Sequence, residues 1–354
     1  MPKDNVFFTV NPSLEFIHAL NFVANKEARY KFYSDFNIIP TEEFKQIVEE
    51  MKGKLSRYIQ NELKFFFQWE PMMHTLGRIV EEHKHIENVS TFIEFIEQMH
   101  ENEILSYITS QALYGVNANT STNWSMDENM ANNISNIIFN MDDDTTIDKE
   151  RLIEFAESPL EIKSRLVLLM KQFYEKSYKQ NEAYILSKLD EAKKRYEKLY
   201  SDNLAYFADE YLHNTLPRDN YKKLIIHISY FTLVRVWFFT VNPYDDTQWI
   251  HLGIYSEYYP RKKFIKAKVQ NFIRILSDKK RFEIIERLSK KPYYVYELAA
   301  ELDLTSPTVC YHLNHMLDLN LVSLEKENNK TYYSLNKEMV KELLNNASSI
   351  LLND

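Results

Sequence analysis

Glycine is scarce in this chain, with four residues in 354. Helices rarely need positive φ, so the shortage favours a mostly helical protein. A single cysteine, Cys310, excludes an intramolecular disulfide. No run approaches the ~18 uncharged apolar residues of a membrane span. The opening Met1-Pro-Lys-Asp-Asn lacks the apolar core of a signal peptide. Together these features predict a cytoplasmic protein with no membrane partner. Catalytic signatures are also missing: there is no Gly-rich phosphate loop, no Gly-x-Ser-x-Gly elbow and no His-Glu-x-x-His pair.

What is present is a chain long enough for two or three domains, 45% hydrophobic and 14% aromatic. Its net charge of −8 is unevenly distributed. Residues 261–354 hold 16 Lys+Arg against 12 Asp+Glu, a net +4, so residues 1–260 carry −12. Within residues 261–291 the balance is 12 basic to 3 acidic. A basic unit behind a larger acidic one fits a DNA-binding module attached to a domain that does not touch DNA.

Along the chain, residues 6–10 read as a short strand and Asn11-Pro12-Ser13 as a helix start with Leu14, Ile17, Leu20 and Phe22 or Val23 inward. Residues 41–211 are almost wholly helix-patterned. Thr41, Ser90, Asp148 and Ser158 mark helix starts, residues 117–124 and 140–146 are loops, and residues 175–200 form a long charged helix. After Pro217 the pattern turns to β: residues 224–229, 234–240 and 249–255 are short strands, the last two separated by a turn at residues 242–246. They are expected to pair with one another and with residues 6–10, enclosing the helices between. Pro260 marks the domain boundary, followed by a helix from about residue 261 to residue 276.

Residues 297–313 read as a short helix carrying Leu298, Ala299 and Leu302, a turn through Asp303 and Leu304, and a second helix. Thr305 or Ser306 caps the second helix, with Pro307 in its first turn, where a missing N–H costs nothing. Val309, Leu313, Met316 and Leu317 recur at helical spacing as its buried face. This pattern is a helix-turn-helix, which places its second helix in the DNA major groove. With Val309 inward, a rotation of about 100° per residue puts Pro307, Thr308, Tyr311, Asn314 and His315 on the opposite face. These, with Ser306, are the candidates for groove contact. His312 falls at the edge of the core face, as compatible with a satisfied structural histidine as with a DNA contact. Lys279, Lys280, Arg281 and Lys330 are candidates for phosphate contact, which sets affinity rather than sequence choice.

The last 94 residues resemble the ArsR family of bacterial transcriptional regulators. The resemblance is carried by residues 275–288, Tyr296-Glu-Leu-Ala, residues 306–313, Leu319-Asn-Leu-Val-Ser and Lys330-Thr-Tyr-Tyr-Ser-Leu. It implies a winged helix: a helix beneath the helix-turn-helix, wing strands over residues 321–326 and 331–335, and a final helix over residues 337–352. That last helix would pack with the first helix of the unit across a dimer interface. Many members sense metals or arsenite through paired cysteines just before the helix-turn-helix. The matching positions here are Tyr294 and Tyr296, which do not replace thiolates. The family's other site uses histidines and acids on the last helix, which here has Glu338 and Glu342 and no histidine. No metal site and no cofactor is therefore expected. Cys310 is either a small helix-packing residue or a thiol whose oxidation blocks DNA binding. The opening strand, Asn11-Pro-Ser-Leu-Glu-Phe and the helices after it resemble a domain of unknown function found ahead of such winged helices in some Gram-positive regulators.

In residues 1–260 the cluster Glu81-Glu-His83-Lys-His85 lacks a second ligand set, so a solvated helix face is the better reading. Residues 142–148 lack the glycine and closing glutamate of a calcium loop. The aromatics at residues 65–69, 206, 207, 211 and 237–239 are core or the lining of an apolar pocket. The expectation is a mainly α (α+β) protein, with a helical regulatory domain with a small sheet at residues 1–260 and a winged helix at residues 261–354. It would be a non-enzymatic repressor that binds double-stranded DNA as a homodimer on an inverted repeat, with residues 1–260 modulating DNA binding through a small-molecule effector, a partner or the relative placement of the two winged helices. The alternative is an enzyme or protein-interaction domain recruited to DNA.

Overall fold

The computed structural model describes residues 5–83, 85–112, 148–212, 223–234, 236–239, 247–317, 319–327 and 330–352. The expected loops at residues 117–124 and 140–146 and the turn at residues 242–246 lie outside them. The architecture is mainly α with two small sheets. The chain divides into two compact units: residues 1–33, 39–138 and 148–260, and residues 34–38, 139–147 and 261–354.

The first unit opens with strand β1 (Val6–Thr9), followed by helix α1 (Pro12–Ala24). Asn11 caps α1 through its side chain, which accepts from the N–H groups of Ser13 and Leu14, and Pro12 occupies the first turn. Every residue of α1 from Ser13 to Ala24 is buried, well beyond the single apolar face read from the sequence. The helix is therefore central to the core. The unit continues with α2 (Lys26–Asp35), α3 (Glu42–Gly53), α4 (Arg57–Phe67), α5 (Glu70–Glu82), α6 (Val89–Gln98), α7 (Glu101–Ala112), α8 (Lys149–Glu157), α9 (Pro159–Phe173), α10 (Lys179–Asp202) and the short α11 (Leu204–Phe207), of which α3, α4, α5 and α6 pack on α1.

Two helix boundaries differ from the sequence reading. Helix α6 is capped by Asn88, two residues before Ser90, because Asn88 and Thr91 form a reciprocal capping box. The helix read from residue 175 is α-helical only from Lys179, because a π-turn, Tyr174–Tyr178, joins it to α9. The turn lets the Ser177 hydroxyl donate to the Met51 carbonyl at 2.7 Å and seats the Tyr178 ring edge-on to Phe16.

The sheet runs in the order β1-β2-β4-β3, built with β2 (Lys223–Ser229), β3 (Val236–Phe239) and β4 (Thr247–Gly253). β1 and β4 pair parallel to β2, and β3 pairs antiparallel to β4. Central β2 and β4 bury almost all of their second halves, as strands covered on both faces do. Glu15 of α1 is fully buried, and its Oε1 accepts from the N–H groups of Tyr230 and Phe231 at 2.9 and 3.0 Å. Helix α1 is thereby latched to the turn that follows β2. None of the helices among the described residues is long and apolar enough to cross a membrane.

The second unit contains α12 (Arg261–Ser277), α13 (Lys279–Leu288), β5 (Tyr293–Tyr294), α14 (Val295–Leu302), α15 (Ser306–Leu317), β6 (Val322–Glu327), β7 (Lys330–Leu335) and α16 (Lys337–Leu352). Its sheet has the order β5-β7-β6, all antiparallel. Helices α12 and α16 pack on each other.

Candidate nucleic-acid interface

Helix α15 packs on α13, α14 and β6. Val309, Leu313 and Met316 are fully buried, while Leu317, expected with them, is only half-buried. Thr305 rather than Ser306 caps the helix: its carbonyl accepts from the Val309 N–H at 3.0 Å and its Oγ1 from the Thr308 N–H at 3.4 Å. Entry from α14 is made by Asp303, which takes a left-handed conformation with φ 52. Short polar side chains tolerate that region better than branched ones. The N–H groups of Asp303 and Leu304 both point back to the Ala299 carbonyl, satisfying the end of α14.

The opposite face of α15 is open. Pro307, Tyr311 and Asn314 are exposed, with Tyr311 58% accessible. Ser306, Thr308 and His315 are half-buried. The Thr308 hydroxyl lies 2.8 Å from that of Thr305, and the His315 ring sits edge-on to Tyr311 at 4.8 Å. The Arg281 guanidinium lies over the Tyr311 ring, 6.0 Å from its centre. The structure thus brings Thr308, Tyr311, His315 and Arg281 into one polar, aromatic surface.

The other basic candidates differ in how they are held. The Lys279 side chain is 88% exposed at the start of α13. Lys280 instead donates to the Leu302 carbonyl at 2.9 Å and pairs with Glu283, so its ammonium caps the C-terminal end of α14. Sequence reasoning missed that role because the partners are 22 residues apart. Asp278 is a further residue that sequence reasoning overlooked. Its carboxylate caps α13 by accepting from the Arg281 N–H at 3.0 Å, and that bond holds its pKa below the usual aspartate value. An aspartate directly before a lysine-rich helix start was the available signal. Lys330 begins β7, on the wing.

His312 points the other way. It is 9% exposed, and its Nδ1 has no hydrogen-bond partner among the described residues. Burial lowers its pKa, opposed by the charge of Asp278 and reinforced by Arg281 and Lys280. The sign of the consequence is fixed. In the unfolded chain the imidazole titrates near its ordinary value of about 6.5. The unfolded state therefore binds the proton first, and winged-helix stability falls as pH drops below that value toward the folded pKa. An NMR titration is expected to place His312 below the ordinary midpoint. His312→Gln is expected to flatten the acid-side loss of winged-helix melting temperature. A His312 midpoint at or above the ordinary value would refute this.

A family model described as "Bacterial regulatory protein, arsR family" matches residues 278–323, spanning α13, the helix-turn-helix and the start of β6. An arsenical resistance operon repressor from Bacillus subtilis is 33% identical over 84 residues, covering 80% of that protein and 23% of this chain. The chain belongs to the arsR family. Two further ArsR-family relatives are arsenical resistance operon repressors from Staphylococcus aureus and Staphylococcus xylosus. Each is 29% identical, over 80% and 84% of its length and 23% and 25% of this chain. No solved structure matches the chain. The protein is a DNA-binding transcriptional regulator whose ArsR-type module occupies its C-terminal quarter.

At the positions of the ArsR family's paired cysteines, Tyr294 occupies the N-cap position of α14, where its N–H donates to Glu297 Oε2 at 3.3 Å, and its ring stands 6.2 Å from that of the exposed Tyr296. The Tyr294 ring also meets Tyr332 of β7 edge-on, so it ties the wing to the helix-turn-helix. Cys310 is a half-buried free thiol.

Proposed function

We propose that this ArsR-family regulator is a repressor that binds an inverted-repeat operator as a homodimer, with residues 1–260 modulating DNA binding in response to an effector. The observation that carries the DNA-reading part is the two-sided α15: Val309, Leu313 and Met316 inward, and Pro307, Thr308, Tyr311 and Asn314 outward. An outward row of hydroxyl, phenol and amide groups suits hydrogen bonding to base edges. Lys279, Arg281 and Lys330 suit phosphate contact.

Two observations support a dimer. Helices α12 and α16 pack together, and Ile273 on the first and Leu344, Leu351 and Leu352 on the second are exposed large apolar side chains. Such residues on the helices that the family uses for dimerisation favour a second copy as their cover. A role as repressor follows the names of the three relatives. The regulatory reading of residues 1–260 rests on family membership and on the basic and acidic division of the chain.

The test is a fluorescence titration against the protein's own promoter region and against scrambled duplex, at several salt concentrations. Thr308→Ala combined with Tyr311→Ala is expected to cost about 1–3 kcal/mol on the operator and less on scrambled DNA, narrowing discrimination. Lys330→Ala is expected to weaken both duplexes alike and to lower the salt slope by about one. Parent-like binding by both variants would remove α15 and the wing as the DNA surface.

A further inference from the structure

We propose that His18, His227 and His251 form a binding site for a divalent transition-metal ion of the zinc class inside the helical unit. The three side chains come from α1, β2 and β4, and each offers a ring nitrogen within 4.8 Å of the other two. All three are buried. His18 Nε2 lies 2.5 Å from His251 Nδ1, and the His227 ring is stacked on His18 and edge-on to His251 at 4.9 Å.

The surroundings favour a cation over an apolar core. His227 Nδ1 faces the Asn11 N–H at a long 3.4 Å; a neutral imidazole carries its proton on one nitrogen only, so metal binding through Nε2 puts that proton on Nδ1 and gives up this contact. That Nε2 has no hydrogen-bond partner among the described residues. It faces Glu15 Oε2 at 3.6 Å, an atom equally without one, whose sister oxygen is committed to the latch with Tyr230 and Phe231.

Behind His251, Glu81 Oε1 stands 3.6 Å from Nε2, and neither Glu81 oxygen has a hydrogen bond among the described residues. The sequence reading of Glu81 as part of a solvated face is corrected here: it is 6% exposed and points into the core. Its neighbours His83 and His85 lie against Phe95 instead. Burial raises the pKa of Glu81 and lowers those of His18 and His251. A buried carboxylate without donors is costly unless a positive charge is close.

A divalent ion held by the three imidazoles supplies that charge to both carboxylates. Glu15 Oε2 is then the nearest oxygen for a fourth position. Glu81 orients His251 from behind, as carboxylates do for metal-binding histidines. Imidazole donors without thiolate select zinc, nickel, iron or copper ions over soft thiophilic ones, and over calcium or magnesium, which take oxygen. The site stands on the helical unit alone and does not depend on how the winged helix reads DNA.

The test uses the full-length protein, stripped with a chelator and dialysed against zinc, with cobalt(II) as a spectroscopic probe. About one zinc per chain is expected to survive gel filtration, and cobalt(II) is expected to give the visible bands of a four- or five-coordinate site. His227→Gln and His251→Gln are each expected to lower zinc affinity at least tenfold. The double substitution His83→Gln with His85→Gln is expected to leave it unchanged. Failure of the wild-type protein to retain zinc, or retention by the His227 and His251 variants with an unchanged cobalt spectrum, overturns the site. If those variants do not fold, X-ray absorption of the zinc-loaded wild type decides. Three imidazole ligands support the site, and fewer overturn it.

Discussion

Replacing Gly253 by alanine is expected to cost at least about 3 kcal/mol, beyond the usual penalty for overpacking a core. The residue ends β4, opposite Ser229 of β2. A Cβ there falls onto the carbonyl carbon and oxygen of Leu233 and the nitrogen of Val234, which are backbone atoms and have no rotamer by which to yield. The Leu233 carbonyl also accepts from the Tyr255 N–H at 2.8 Å, and Leu233 itself holds a positive φ of 56, so the turn has little freedom to move away. The Gly253 carbonyl accepts from the Tyr196 hydroxyl and from Ser256 Oγ, both at 2.9 Å, and displacing the strand end would break these as well. Domains have only about 5–15 kcal/mol in total, so chemical denaturation should show the helical unit losing a large share of its stability. A midpoint within experimental error of the parent would mean that the turn after β2 does not sit on β4 as described.

Glu15→Ala is the second large effect, with an expected loss of about 3–5 kcal/mol. Two buried backbone N–H groups, from Tyr230 and Phe231, would lose their acceptor together. Each unsatisfied buried donor costs about 1–3 kcal/mol. Glu15→Gln retains an oxygen at the position of Oε1 and should recover most of that loss. Equal instability of the alanine and glutamine variants would show that charge, rather than the two hydrogen bonds, is what the position requires. Denaturant midpoints of the three proteins separate these outcomes.

The winged helix was legible because its signals are local. The Val309–Leu313–Met316 spacing, Pro307 in the first turn, and the basic run before the motif are all short-range features, and α16 begins and ends where the ArsR resemblance placed it. The open face of α15 followed from helix geometry alone. In the first unit, strands and helix starts were readable, yet the chemistry was not. His18 lies more than two hundred residues before His227 and His251, and each alone resembles an ordinary core histidine. Only the side-by-side, parallel placement of β2 and β4, facing α1, brings them together. Glu81 was misjudged for the same reason: its neighbours Glu82, His83 and His85 set a polar local pattern, while its own side chain belongs to a distant partner on β4. Lys280 shows the converse, a residue with a legible charge whose structural commitment to Leu302 depends on how α13 and α14 pack.

The parallel pairing of β1 with β2 also has a kinetic consequence. Val6 aligns with Leu224, so this edge of the sheet waits for a contact spanning most of the first unit. Contacts that distant in sequence slow folding, and a chain made from its N-terminus holds its first strand unpaired until β2 has been synthesised. Release of a nascent chain stalled before residue 223 should yield helical but protease-sensitive material, with α1 lacking the strands it is buried against. Extending the stall point past Gly253 should bring protection abruptly rather than gradually. Production of the regulator would then be gated late in translation, when the sheet closes and shortly before the DNA-reading module is made.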